Sequence, residues 1–404
     1  MLIRNLKVSG LLSFGAKGID LPLRPLNVLI GANGSGKSNF IEILNLLRHM
    51  PTRLDSPIMT SGGMSEWRHG GGGLLPLGPP LMKIEATLER KTEQLMGLRH
   101  SIVIAPNGDN LSVDDETIEN DRPIDGESEP RWFYRMNGGS GMVHEYGPEI
   151  KDDEAGILDN VRIIDDARLD SRASILSQIR DPGRSTVFEQ LQESYSSIHI
   201  YREWCFGPGT VVRSSPPADS PIDRVGRRGE NLAAVIASMN SARKNEYLAV
   251  LQSLYDNILG IRVAPGPGGG LKLYIEESNS TEISATRLSD GTLRFMFLLA
   301  ILLDPTPPRM IVIEEPELGL HPDVIPKIAE LLVDASKRTQ LVVTTHSRML
   351  IDALGDDPES VVVCEKHNGE STFERLDGER MKVWLEEYSL GDLWSKGEIG
   401  GNRW

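Results

Sequence analysis

The chain has 404 residues, 39% hydrophobic and 25% charged, which suits a folded protein with a buried core and excludes a disordered tract. Its 43 basic and 58 acidic residues give a net charge of -15; this disfavours coating nucleic acid by bulk charge but leaves a local basic groove open. No apolar run reaches the roughly 18 residues of a membrane span, the N-terminus has no long apolar stretch of a secretory leader, and Cys205 and Cys364 alone make neither a disulfide framework nor a zinc site, so a cytoplasmic protein with no membrane partner is expected.

In chain order, Leu2–Val8 alternates as a strand. Leu26–Ile30 is a second, apolar strand that ends abruptly in GANGSGKS. Asn39–His49 follows as a helix with Phe40, Ile43, Leu44 and Leu47 on one face, broken at Pro51. Ser61–Gly73 is Gly-rich and reads as a loop, while Leu81–Arg90, His100–Ala105 and Arg131–Arg135 read as strands of an antiparallel subdomain. Between Asp109 and Glu129 lie nine Asp or Glu and one Arg, which predicts a solvated lobe or mobile loop.

Helices are expected over Arg172–Arg180, stopped by Asp181-Pro182, and over Ser185–Ser194 and Glu230–Met239, with Arg213–Gly229 a Pro-, Ser- and Arg-rich surface loop. From Leu288 the signals crowd together. LSDGT leads into an apolar helix, Leu293–Leu303, and Met310–Ile313 is a continuous apolar strand that ends in Glu314-Glu315. A helix over Asp323–Ser336 precedes the strand Gln340–Val343, which ends in Thr344-Thr345-His346-Ser347. The alternation predicts an α/β fold with a parallel sheet core.

The chemistry concentrates in four places. In GANGSGKS, Gly31, Gly36, Lys37 and Ser38 stand at the defining positions of a phosphate loop, and Asn33, Gly34, Ser35 and Asn39 complete the segment. Glycines let the backbone curl its N–H groups around phosphate, Lys37 reaches the β- and γ-phosphates, and Ser38 offers a hydroxyl to Mg2+. Glu314, at the end of a buried strand, is placed to organise the metal, and Glu315 to polarise an attacking water. His346 ends the next strand, where it can hydrogen-bond a γ-phosphate oxygen. Ser289 and Gly291 precede an apolar helix whose N-terminus suits an anion. The expected cofactors are ATP and Mg2+.

The order of phosphate loop, long interval, LSDGT, acidic strand and histidine resembles the ABC-type ATPase heads of the SMC/RecF/OLD group. GANGSGKSNF, LSDGTLRF, EEPELGLHP and GDLWSKGEIGGNRW are similar to the prokaryotic AAA_21/RecF-like predicted ATPase family. The resemblance implies an ABC/SMC-head-type P-loop ATPase with a mixed or parallel central sheet, an N-terminal antiparallel β subdomain and an inserted helical lobe. It implies one head over 1–404, with a nucleotide-binding core in 1–60 and 271–370. The remaining segments would be a β-rich insertion over 61–170 carrying the acidic loop, a helical lobe over 171–260 and a C-terminal extension over 371–404.

It also implies a homodimer in which ATP is held between the phosphate loop of one protomer and the LSDGT of the other. On the same analogy Gln178 links Mg2+ to an adjoining subdomain, Arg68 contacts phosphate, Asn33 sits over the γ-phosphate, and Glu317 and His321 shape a turn at the dimer interface.

The interval from Ser38 to Leu288 has no heptads, which excludes a long-armed SMC protein. About 58 residues follow His346, too few for the metal-binding domain that OLD nucleases append, so no nuclease site in cis is expected. The reading is an ATP-driven switch acting on a nuclease or toxin in trans, in antiphage defence or genome maintenance. The alternative is a RecF-like DNA-binding repair ATPase, supported by Arg224, Arg227 and Arg228 but not by the net charge. A non-hydrolysing scaffold and a transporter subunit are the remaining readings.

Overall fold

The computed structural model describes residues 1–70, 81–90, 96–124, 126–137, 140–144, 161–164, 169–179, 186–266, 269–278 and 281–401; the expectations at 71–73 and at Asp181-Pro182 lie outside them. The chain divides into two compact units. One holds Met1–His199 and Val362–Leu376 with Gly400 and Gly401; the other holds Ile200–Val361 and Asp377–Ile399.

In the first unit the alternation of the N-terminal strand, Ile3–Ser9, buries Leu6 and Val8 and leaves Arg4 and Lys7 outside. Its neighbours are Ile19–Pro22 on one side and Met82–Leu88 on the other. Leu98–Asn107, Asn110–Asn120, Trp132–Asn137, Ser140–His144 and Val161–Ile164 follow in order, making an eight-stranded sheet in which every neighbouring pair is antiparallel. The β-rich segment therefore does not begin near residue 61, because the first two strands pair into the same sheet.

The acidic stretch is for the most part the strand Asn110–Asn120, not a loop. A register shift opposite Val103/Ile104 leaves Asp114 as an extra residue, and this bulge turns Glu116 rather than Asp115 inward. Buried Glu116 is satisfied by His100 Nε2 at 2.9 Å, the Ser174 hydroxyl at 2.5 Å and the Ile175 N–H at 2.8 Å. The His100 ring nitrogen Nδ1 lies 2.9 Å from the Tyr195 hydroxyl.

Leu26–Ile30, buried at every position, lies beside Val361–His367, which forms a hairpin with Glu370–Arg375. The turn between those two strands takes positive φ at Asn368 and Gly369, 52° and 88°. After the phosphate loop, the helix Lys37–His49 buries Phe40, Ile43, Leu44 and Leu47. Among the described residues of the expected helix over Arg172–Arg180, Ile175–Gln178 is helical, and Thr186–Ser196 is the next described helix. The expected Gly-rich loop contains a short helix, Met64–Trp67, that buries Trp67.

The second unit is built on the parallel pair Met310–Glu314 and Gln340–Thr344. The helix Ile325–Ser336 connects them, as a parallel crossover requires. The helix Asp290–Leu302 is buried at every position from Leu293 onward. Leu232–Ser238 is helical as expected, but the helix Ser241–Gln252 was not foreseen: it buries only Tyr247 and Leu251, so it has no apolar stripe to read. A three-stranded antiparallel sheet, Ile258–Pro265, Leu271–Glu277 and Glu282–Ser284, completes the unit. The expected helical lobe over 171–260 is thus divided between the two units. Among the described residues no helix is long and apolar enough to cross a membrane.

Candidate functional site

In the first unit three glycines with positive φ shape the phosphate loop. Gly31, Gly34 and Gly36 take φ of 152°, 80° and 106°. A Cβ on Gly31 would lie 2.2 Å from the Cys364 carbonyl oxygen, and one on Gly36 would lie 2.3 Å from Ser371 Oγ. Behind the loop, the Ser371 hydroxyl and the Asn39 amide each donate to Ser13 Oγ at 2.7 Å, and the Ser371 N–H donates to the Ser13 carbonyl at 2.7 Å. Asn39 thus braces the loop from behind.

The Lys37 ammonium is buried and donates to the carbonyls of Gly31 and Ala32 at 2.7 and 3.1 Å. Gly36 caps the 13-residue helix with no side-chain bond, so its positive end is not covered by a side chain. Ser35 Oγ is buried without a hydrogen-bond partner. A cleft of about 410 Å³ is lined by Asn33, Gly34, Ser35, Lys366 and His367 among others. Uncapped helix, buried ammonium and exposed Ser38 fit a bound polyphosphate with its metal.

Two residues named by analogy also lie in this unit. Gln178 Oε1 accepts from the Asp170 N–H at 2.8 Å, and its amide donates to the Asp170 and Ala173 carbonyls at 3.1 and 2.9 Å. Both polar ends are engaged with the loop before it, so in this arrangement Gln178 clamps that loop. Arg68 belongs to a segment tied to the N-terminal loop through Trp67 O and Leu12 N at 2.6 Å, and its Nε is buried without a hydrogen-bond partner.

In the second unit the two parallel strands bring their ends level, with Glu314 opposite Thr344. Glu315 then enters the left-handed region, φ 49°, a costly conformation for a residue with a Cβ and one typical of functional turns. Its N–H is held by the Thr344 carbonyl at 3.0 Å and Thr344 Oγ1 at 3.2 Å. Its carboxylate lies 3.7 Å from His346 Nε2. Glu317 Oε1 accepts from Thr345 Oγ1 at 2.6 Å and from the His346 N–H at 2.9 Å. Burial raises the Glu317 carboxyl above its ordinary range, and these hydrogen bonds pull against that. His321 caps the following turn through Asp323 N.

Ser289 is the N-cap of the helix Asp290–Leu302, accepting from Thr292 N at 3.0 Å, and both Ser289 and Asp290 are exposed. A Cβ on Gly291 would lie 3.3 Å from the Gly319 carbonyl. What fixes this segment lies far from it in the chain. Buried Arg213 donates to the carbonyls of Phe206, Ala285 and Leu288 at 2.6, 3.0 and 2.8 Å, and to the Asp290 carboxylate at 2.5 Å. Arg202 Nε lies 3.3 Å from Glu314 Oε2, and the Trp204 indole N–H donates to the Glu314 carbonyl at 2.5 Å. The one signal in the sequence is the aromatic run around Tyr201, Trp204 and Phe206. Of the expected basic patch, Arg228 is paired with Glu203, Arg224 has a buried Nε, and Arg227 is exposed.

A family model described as "AAA domain, putative AbiEii toxin, Type IV TA system" matches residues 26–352. No curated protein matches the chain. Among solved structures, an SMC head bound to the C-winged helix domain of ScpA is similar over 94% of this chain and 99% of its own, at 15% identity and a TM-score of 0.57. An SMC head from Pyrococcus furiosus with an extended coiled coil, bound to the C-terminal domain of ScpA, is similar over 95% and 98%, at 14% identity and a TM-score of 0.55. The fold is that of the SMC-type ATPase heads.

Proposed function

Because the chain belongs to the AAA_21 family of ATPase domains, we propose that it is an ATP-hydrolysing switch whose two copies close head to head on ATP. The observation that carries this reading is Glu315, held at φ 49° with its carboxylate 3.7 Å from His346 Nε2. A carboxylate so placed can accept a proton from an attacking water. His346 can hold a γ-phosphate oxygen beside it. Lys37 and the loop amides bind the phosphates in the ground state and as charge develops on them. By residue type, the exposed Ser38 hydroxyl and the Glu314 carboxylate are each suited to Mg2+, which would supply charge neutralisation on the phosphates. Ser289 and Gly291, at an exposed helix N-terminus, serve the nucleotide of the second copy. Slow turnover suits a switch, and the output is a nuclease or toxin in trans, in antiphage defence or genome maintenance. The solved SMC heads, bound to domains of ScpA, support a head that acts through a protein partner.

The test is the solution mass of Glu315→Gln with and without ATP–Mg2+. Loss of the base should trap a dimer, and adding Lys37→Ala or Ser289→Arg should abolish the shift. A persistent monomer that binds ATP would overturn the head-to-head mechanism. No copurifying protein and no ATP-dependent effect on a neighbouring gene product would remove the effector.

A further inference from the structure

Within the second unit, one segment joins the LSDGT end to the acidic strand. At one end Arg202 and Trp204 are fastened to Glu314, side chain and carbonyl respectively. At the other, Arg213 ties Phe206 to Leu288 and Asp290. Arg294, on the helix that Ser289 caps, lies across the middle. Its guanidinium is 4.6 Å from the centre of the Trp204 ring and 5.5 Å from that of Phe206, and the two rings are stacked at 6.2 Å. One of its terminal nitrogens is 3.2 Å from the place a Cβ would take on Gly319, so it abuts the turn that carries Glu315 and Glu317.

Arg294 is 5% exposed, and its Nε has no hydrogen-bond partner. Glu317 Oε2 is likewise shut off from solvent with no partner. Burial pushes the Arg294 pKa down to about 10, against the pull of Glu317 and Glu315. A buried cation with an unmet donor is costly, and the unmet acceptor on the neighbouring turn is its complement.

We propose that Arg294 is a positioning residue that couples the LSDGT segment to the catalytic turn through Trp204 and Glu317. Resting on the ATPase reading above, the inference is that an anion engaged at Ser289 draws the helix into register and closes Arg294 on Glu317. The other oxygen of Glu317 already holds the backbone of His346, so the closure sets His346 and Glu315 for hydrolysis. Each copy then hydrolyses its own ATP only when its LSDGT has engaged the other's. The two sites and the two states of the Arg294–Glu317 pair make this a coupling and not a matter of proximity.

The test uses the full chain with ATP–Mg2+ and compares wild type, Arg294→Gln, Arg294→Lys and Trp204→Phe. ATP affinity is read by titration, dimer fraction by light scattering in a Glu315→Gln background, and turnover is expressed per dimer. Arg294→Gln should keep affinity and dimer fraction within about two-fold while turnover per dimer falls roughly ten-fold, the scale of one misplaced catalytic group. Arg294→Lys should recover part of the loss. The ATP-induced change in Trp204 emission, taken as wild type minus Trp204→Phe, should vanish in Arg294→Gln.

Wild-type turnover per dimer in Arg294→Gln overturns the coupling. So does a loss of dimer, turnover and melting temperature together that Arg294→Lys does not relieve, which would make Arg294 a packing residue. If wild type itself neither binds ATP nor dimerises, the ATPase reading fails and the coupling with it.

Discussion

Replacing Gly36 by alanine separates backbone strain from collision at the phosphate loop. The residue holds φ 106°, a left-handed conformation that costs an alanine roughly 1–2 kcal/mol. The new Cβ would also lie 2.3 Å from Ser371 Oγ and 2.9 Å from both Ser371 Cβ and Ser13 Oγ. Because Ser371 Cβ is itself too close, turning the hydroxyl away is not enough, and Ser371 must leave Ser13. That breaks the hydroxyl contact and strains the backbone bond, both 2.7 Å, each worth about 1 kcal/mol. The total is about 3–4 kcal/mol for Gly36→Ala. Gly34 is the control: its φ is 80° with nothing within 4 Å of the added Cβ, so Gly34→Ala should lose only the strain, roughly 1–2 kcal/mol. Urea denaturation of the two variants, with nucleotide titration alongside, reads the difference. Equal losses would refute the collision and with it the brace of Ser13, Ser371 and Asn39.

Lys37→Ala removes the ammonium that curls the loop through Gly31 O and Ala32 O; ATP affinity should drop at least about ten-fold, and unchanged titration would dismiss the loop as the phosphate site. Glu317→Ala strands the Thr345 hydroxyl and the His346 N–H and should cost about 2–4 kcal/mol, whereas Glu317→Gln keeps a carbonyl for both donors and should stay within about 1 kcal/mol; equal effects in calorimetry would contradict this account. The Gly401 N–H at 2.9 Å and then His367 hold the Glu365 carboxyl below its ordinary value of 4.5. A depressed carboxyl contributes stability in full above the unfolded value and loses it as pH falls through the folded one. The protection factor of the Gly401 amide, the intrinsic exchange rate divided by the observed rate at the same pH, should therefore fall on acidification below about pH 4.5, and in Glu365→Gln it should stay constant over that range.

The local part of the design is written in the sequence because local chain geometry decides it. The strand Leu26–Ile30 and the glycines of the loop are where they were expected, and the helix begins at Lys37, two residues early, because the end of the phosphate loop is itself the first helical turn. Likewise Met310–Glu314 and Gln340–Thr344 are short, apolar and buried on both faces, a pattern with one good solution. The expectations that failed depend on distant partners. Glu116 reads as one more solvated acid until a bulge turns it inward and His100, Ser174 and Ile175 meet it. Nor does the sequence show that the loop at Asp170 engages both ends of Gln178.

The same dependence explains why four functional segments were recognisable and the residues joining them were not. Ser289 and Asp290 are exposed, while Leu293–Leu302 is buried throughout, so the helix presents one turn to the outside and is gripped along the rest. A helix held this way cannot rotate to absorb a contact at its tip without disturbing what grips it. Apolar neighbours would yield by small rearrangements of packing. A buried guanidinium against an aromatic pair and an unmet carboxylate oxygen has fewer tolerable positions, since each leaves a different donor unpaired. On the coupling proposed above, Arg294 is where displacement of the tip would become a discrete choice, and LSDGTLRF carries it five positions beyond Ser289.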